Sequence, residues 1–114
     1  MFTRVVDIKT KRGKAKRLCH AIHQKMLSIF KAQQGFVDEI VLISETDADH
    51  VLALSFWKTR SDAERYSRKH YAAVRKLIQH QVHTAPRVRA FNVETSITHR
   101  IARGKAAQRK TRHR

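Results

Sequence analysis

Trp57 closes the strand-like segment VLALSFW, and Tyr66 and His70 follow four residues apart within a helical stripe. That spacing puts a phenol and an imidazole on one helix face, so their polar ends reach a common cavity. An imidazole moves protons near neutral pH. A phenol, or the guanidinium of Arg60 ahead of it, holds an anion. The strand face leading to Trp57 carries Ala53 and Ser55, and small side chains beside a large ring leave an apolar slot suited to a flat aromatic guest. A plainer reading uses the same residues, with Trp57 as a core or dimer plug, Tyr66 as a core rim and His70 as a boundary side chain. Both readings stand on the residues alone.

Other groups offer less chemistry. His20 with His23, and His80 with His83, have a spacing that brings two imidazoles near one helix face. No Asp, Glu or Cys stands beside either pair to complete a metal site, so they read as solvated or boundary residues and no metal is expected. Asp47 and Asp49 fall in a polar connection where turn chemistry accounts for them. Cys19 sits among helical apolar positions and reads as a small core residue. There is no phosphate-cradling Gly-rich loop and no nucleophile elbow. No cofactor is expected.

The elements that must position these groups follow from periodicity. Residues 2–8 (FTRVVDI) predict a strand. From Lys14 to about Gln33, Leu18, Cys19, Ile22, Met26, Ile29 and Phe30 mark one helix face, and Gly35 lies at its stop. Residues 36–45 and 51–57 predict two strands joined by TDADH. A second helix opens at SDAE, where Ser61 and Glu64 form a capping-box pattern. Its stripe runs Ala63, Tyr66, His70, Val74, Leu77, Ile78. Pro86 ends that region and residues 87–97 predict a last strand. The order βαββαβ implies an α+β, ferredoxin-like sandwich, a four-stranded antiparallel sheet with both helices on one face.

Two helices cover only one sheet face, yet Ile40 to Ile43 and Leu52 to Leu54 are apolar at consecutive positions. A strand with one wet face alternates with polar residues. The other face is therefore expected to meet a second copy of the chain, sheet to sheet, in a homodimer.

The segments QQGFVDEIVLIS and VLALSFWKTRSDAERY resemble the antibiotic biosynthesis monooxygenase (ABM) superfamily of dimeric α+β barrels. The resemblance rests on Gly35, Phe36, Phe56, Trp57, Ser61, Ala63 and Tyr66. It covers residues 2 to about 97. It implies a pocket between sheet and helices for a small aromatic or polyphenolic substrate, oxygenated without a cofactor. His70, Tyr66 and Arg60 would then be catalytic, with His70 as base and Tyr66 or Arg60 holding the phenolate; Trp57, Phe36 and Ser55 would bind substrate. Haem-degrading members resemble one another in a first-strand Asn and a second-helix Trp and His. This first strand has no Asn, and Arg65 and Arg75 occupy the other two positions, so haem degradation is disfavoured. The alternative function is a non-catalytic ABM-like dimer whose basic tail binds polyanions.

The chain has 114 residues, with 25 Lys and Arg against nine Asp and Glu, a formal net charge of +16. Such a balance attracts nucleic acid, acidic lipid or anionic metabolites. Residues 1–97 read as one domain. Residues 98–114 form a basic C-terminal tail with seven Lys or Arg and no acid. Two readings of the tail stand: nonspecific contact with nucleic acid, or a solvated end, helical at its start and then disordered. The third strand lacks the aromatic platform of an RNA-recognition module. A single cysteine and the lack of a signal-like or membrane-spanning segment lead us to expect a cytoplasmic protein with no membrane partner.

Overall fold

The computed structural model describes residues 1–96. Four strands, β1 (Phe2–Lys9), β2 (Phe36–Ile43), β3 (His50–Trp57) and β4 (Arg87–Asn92), alternate with helices α1 (Ala15–Lys31) and α2 (Arg60–Ile78). The sheet is antiparallel in the order β2-β3-β1-β4, with β1 and β3 central. This is the expected ferredoxin-like arrangement. β2 stops at Ile43, because Ser44 turns into the hairpin and its hydroxyl accepts the Asp47 N–H. β4 stops at Asn92, short of the expected 97. Ile97 and the tail of residues 98–114 lie outside the described residues.

Strand alternation sorts the apolar run into two faces. Val41, Ala53 and Val51 face the helices with Phe2, Val6 and Ile8 of β1, while Ile40, Leu42, Leu52 and Leu54 face away. The core forms where Leu18, Ile22, Met26 and Phe30 of α1 meet Ala63, Tyr66, Val74 and Ile78 of α2 over that inner face. Leu77, placed in the α2 stripe by its spacing, lies on the exposed side.

The α2 cap differs from the sequence expectation. Thr59 is the N-cap, extended at φ −135°, and its hydroxyl oxygen accepts the Asp62 N–H at 3.1 Å. Helix geometry begins one residue before Ser61, so the reciprocal pair is Thr59 with Asp62, and Glu64 pairs instead with Arg60. Gly35 packs against this cap at φ +80°, where a Cβ would land on the Asp62 carboxyl group. Its carbonyl also accepts the Lys58 N–H at 2.8 Å. A glycine is required there by both the backbone angle and the close approach.

Candidate active site between sheet and helices

An aromatic array runs through the end of the core nearest the α2 cap. The Trp57 ring stacks on Tyr66 with centroids 5.1 Å apart and meets Phe36 edge-on at 5.5 Å. Phe30 of α1 stacks on Phe36 at 5.2 Å and leans on Tyr66 at the same distance. Trp57 is wholly buried, and its indole N–H donates to Ser55 Oγ at 2.9 Å. A buried indole needs such an acceptor, so Ser55 satisfies the tryptophan within the strand itself.

Beside the array lies an inner cavity of about 30 Å³. Apolar side chains of both helices and the sheet line it, and five polar ones join them: Arg4, Glu39, Ser55, Tyr66 and Tyr71. Arg4 is buried, with its guanidinium 4.8 Å from the Tyr71 ring centroid and 5.6 Å from that of Tyr66. Glu39 Oε1 and the Tyr71 hydroxyl are buried without a hydrogen-bond partner. An unpaired buried polar atom is costly, and two of them lie on the wall of this one cavity.

Burial shapes the acid–base character of the cavity. It pushes the Glu39 carboxyl up to about 8, the neighbouring Asp38 charge adds to the rise, and Arg4 pulls against both. The Tyr66 phenol is driven well above its usual range, again by burial and against Arg4. The Tyr71 phenol moves the same way for the same reasons. At neutral pH both tyrosines are therefore donors, whereas Glu39 exchanges a proton within reach of physiological pH.

A groove of about 320 Å³ between α1 and β2 adjoins the inner cavity, and Ile22, Phe30 and Glu39 belong to both walls. Phe36, Val37 and Val41 line its sheet side. That volume falls at the lower end for small-molecule sites.

The residues singled out from sequence fall into two groups. Tyr66 and Ser55 line the inner cavity, Phe36 lines the groove, and Trp57 stands behind Tyr66 as its stacking partner. His70 extends the array by stacking on Tyr66 at 6.1 Å, but lines neither space. Arg60 lies apart, exposed, paired with Glu64 and over the Phe2 ring. Arg4, Glu39, Tyr71 and Phe30 were missed as site residues. Strand phase held a signal for Arg4, which alternates with Phe2, Val6 and Ile8. For Glu39 a bulge at Val37 hid it: the register shifts between Phe36 and Asp38. Phe36 and Glu39, an odd number of residues apart, thus face the helices together.

The family model described as antibiotic biosynthesis monooxygenase matches residues 1–77. The chain belongs to the ABM family. The match includes β1, α1, β2, β3 and nearly all of α2, and hence every side chain of the cavity wall except Ile78. Solved ABM-like structures share the fold at low identity. A provisionally assigned antibiotic biosynthesis monooxygenase from Nitrosomonas europaea superposes with a TM-score of 0.68 at 18% identity, covering 83% of this chain and 100% of that one. A counterpart from Bordetella bronchiseptica gives 0.70 at 12%, covering 82% and 97%. SnoaB, a cofactor-independent oxygenase from Streptomyces nogalater seen in a point-mutant form, gives 0.70 at 13%, covering 85% and 96%. Among curated protein sequences nothing matches the chain. No helix among the described residues is long and apolar enough to cross a membrane.

Proposed function

We propose that this ABM protein is a cofactor-independent monooxygenase acting on a small phenolic aromatic, with the ring in the α1–β2 groove and its hydroxyl turned toward Glu39. The observation that carries this reading is Glu39, whose Oε1 is buried and unpaired, whose side chain is shared by groove and inner cavity, and whose carboxyl is drawn on by the Arg4 charge. An ionised Glu39 takes the phenolic proton, a base whose affinity is matched to phenols near neutral pH. Arg4 holds the resulting phenolate, and Tyr71 donates a hydrogen bond to it. The electron-rich ring then reacts with dioxygen: a ring C–H becomes C=O, the phenolate becomes the second quinone carbonyl, and one water leaves. All four electrons reach dioxygen from the ring, so the balance needs no reductant. His70 is a positioning residue for Tyr66 in this scheme, and Arg60 takes no part. The apolar walls keep water from the reacting anion.

Oxygen uptake with a panel of dihydroxyarenes tests the reading. Wild type should consume oxygen and form the quinone chromophore, and Glu39→Gln should lower kcat by about a hundredfold or more, the usual worth of a positioned base. Trp57→Phe should weaken substrate binding with a smaller effect on kcat. Uptake no greater than the blank with every arene would end the oxygenase assignment. The non-catalytic alternative draws on the small size of the inner cavity, about 30 Å³, enough for buried water, which needs roughly 10–15 Å³, and far below the roughly 300 Å³ of a small-molecule site. A sheet-to-sheet homodimer belongs to either reading, because Leu42 and Phe91 on the outer sheet face are nearly half exposed.

A further inference from the structure

Charge is distributed unevenly over the fold. No Asp or Glu occurs between Asp7 and Asp38, or between Glu64 and Glu94. Those acid-free stretches include α1, α2 from Arg65 onward, the loops at their ends, and β4. The acids lie in β1, β2, the β2–β3 hairpin and the first two turns of α2, apart from Glu94. Even the two acids of α2 are matched: Arg65 Nη1 donates to Asp62 at 2.9 Å and Arg60 Nε to Glu64 at 3.1 Å. Lys16, Arg17, Lys25 and Lys31 on α1, with Arg68, Lys69, Arg75 and Lys76 on α2, are exposed. None of them pairs with a described carboxylate. One side of the molecule is therefore an unneutralised cationic layer. At the C-terminal end of α2 this layer holds a concavity of about 510 Å³, lined by Arg75, Lys76, Gln79, His83 and Thr84 among others.

We propose that the helix layer binds the phosphate backbone of nucleic acid, with the concavity after α2 seating one phosphate and its sugar. Like charges gathered on one layer repel one another, and a polyanion relieves that repulsion while releasing its own counterions. A membrane surface fits less well. A helix that lies on lipid keeps an apolar face for the acyl boundary, whereas α1 and α2 turn theirs to the sheet and show only Leu27 and Leu77 as exposed large apolar residues. No exposed Phe, Tyr or Trp stands on either helix to stack on bases, so contact is with backbone and carries little sequence preference. Arg68, Lys69, Arg75 and Lys76 line neither the inner cavity nor the α1–β2 groove, so their binding is read apart from catalysis.

Fluorescence anisotropy of the full chain with a labelled DNA single strand and a duplex, across a salt series, tests the proposal. The first variant joins Arg68→Gln, Lys69→Gln, Arg75→Gln and Lys76→Gln. It should bind duplex at least tenfold more weakly at low salt, with the log K against log salt slope reduced by about 3 to 4. Exchanging Arg and Lys at the same four positions, with charge kept, should bind as wild type does. A variant with the seven tail cations changed to Gln should keep the helix-dependent part of the slope. The proposal is overturned if the four-Gln variant binds as wild type does, or if neutralising the tail alone abolishes binding. Binding to phosphatidylserine vesicles with none to either DNA would also overturn it.

Discussion

Glu39 is a carboxyl group placed where a carboxylate is costly, and the cost can be measured. Its folded-state pKa of about 8 lies above the ordinary carboxyl value. Between the two values the folded chain holds a proton that the unfolded chain has released, so stability falls as pH rises through that window. Each unit of displacement is worth about 1.4 kcal/mol, and the summed effect above pH 8 is on the order of a few kcal/mol. Glu39→Gln keeps the shape and removes the titration. Thermal melts should therefore show the variant more stable than wild type near pH 9, with the two converging near pH 5. Parallel pH profiles would mean that the carboxyl is solvated.

At the scale of elements, the site depends on two local devices. The bulge at Val37 lets β2 present Phe36 and Glu39 to the same side, and Asp38, which accepts the Glu39 N–H at 2.7 Å, lies on the other. The cap at Thr59 fixes where α2 starts, and with it the seat of Tyr66 against Trp57. Thr59→Ala should destabilise by about 1 kcal/mol, the usual loss for a cap hydroxyl, read as a shift in the urea midpoint at unchanged m. Gly35→Ala should cost more, because the added methyl meets the Asp62 carboxyl that completes the cap, at a backbone angle L-residues avoid. A smaller effect for Gly35→Ala than for Thr59→Ala would show that the cap yields freely.

For the molecule as a whole, the sheet has a covered face and an open one. Ile40, Leu42, Leu52 and Leu54 face away from the helices with Phe56, and Phe91 extends the apolar area onto β4. Fully burying such a side chain is worth about 1.5–3 kcal/mol, which makes a second copy of the chain the simplest cover. Leu54→Arg, placed at the middle of that face, should shift wild-type dimers to monomers in sedimentation velocity while leaving far-ultraviolet circular dichroism unchanged. A wild-type chain that sediments as a monomer at micromolar concentration would remove the sheet-to-sheet pairing. The cationic helix layer points the opposite way, so nucleic acid and the second copy would not compete.

Sequence by itself determined the order of elements, the antiparallel sandwich and the two-faced apolar strands, since all of these follow from local periodicity and short connections. It also placed Trp57, Tyr66, Phe36 and Ser55 in one neighbourhood, because strand phase and helical spacing converge there. Only the tertiary structure decided which polar groups share the enclosed space. Arg4 and Glu39 come from β1 and β2, strands that never touch because β3 lies between them. The one-residue bulge that turns Glu39 inward leaves no mark in the alternation. Arg60 and His70, close to Tyr66 along the chain, line neither the inner cavity nor the groove: one pairs with Glu64, the other stacks on the Tyr66 ring. Local rules set what each segment is, whereas the meeting of distant charges depends on how the strands are ordered and phased across the sheet.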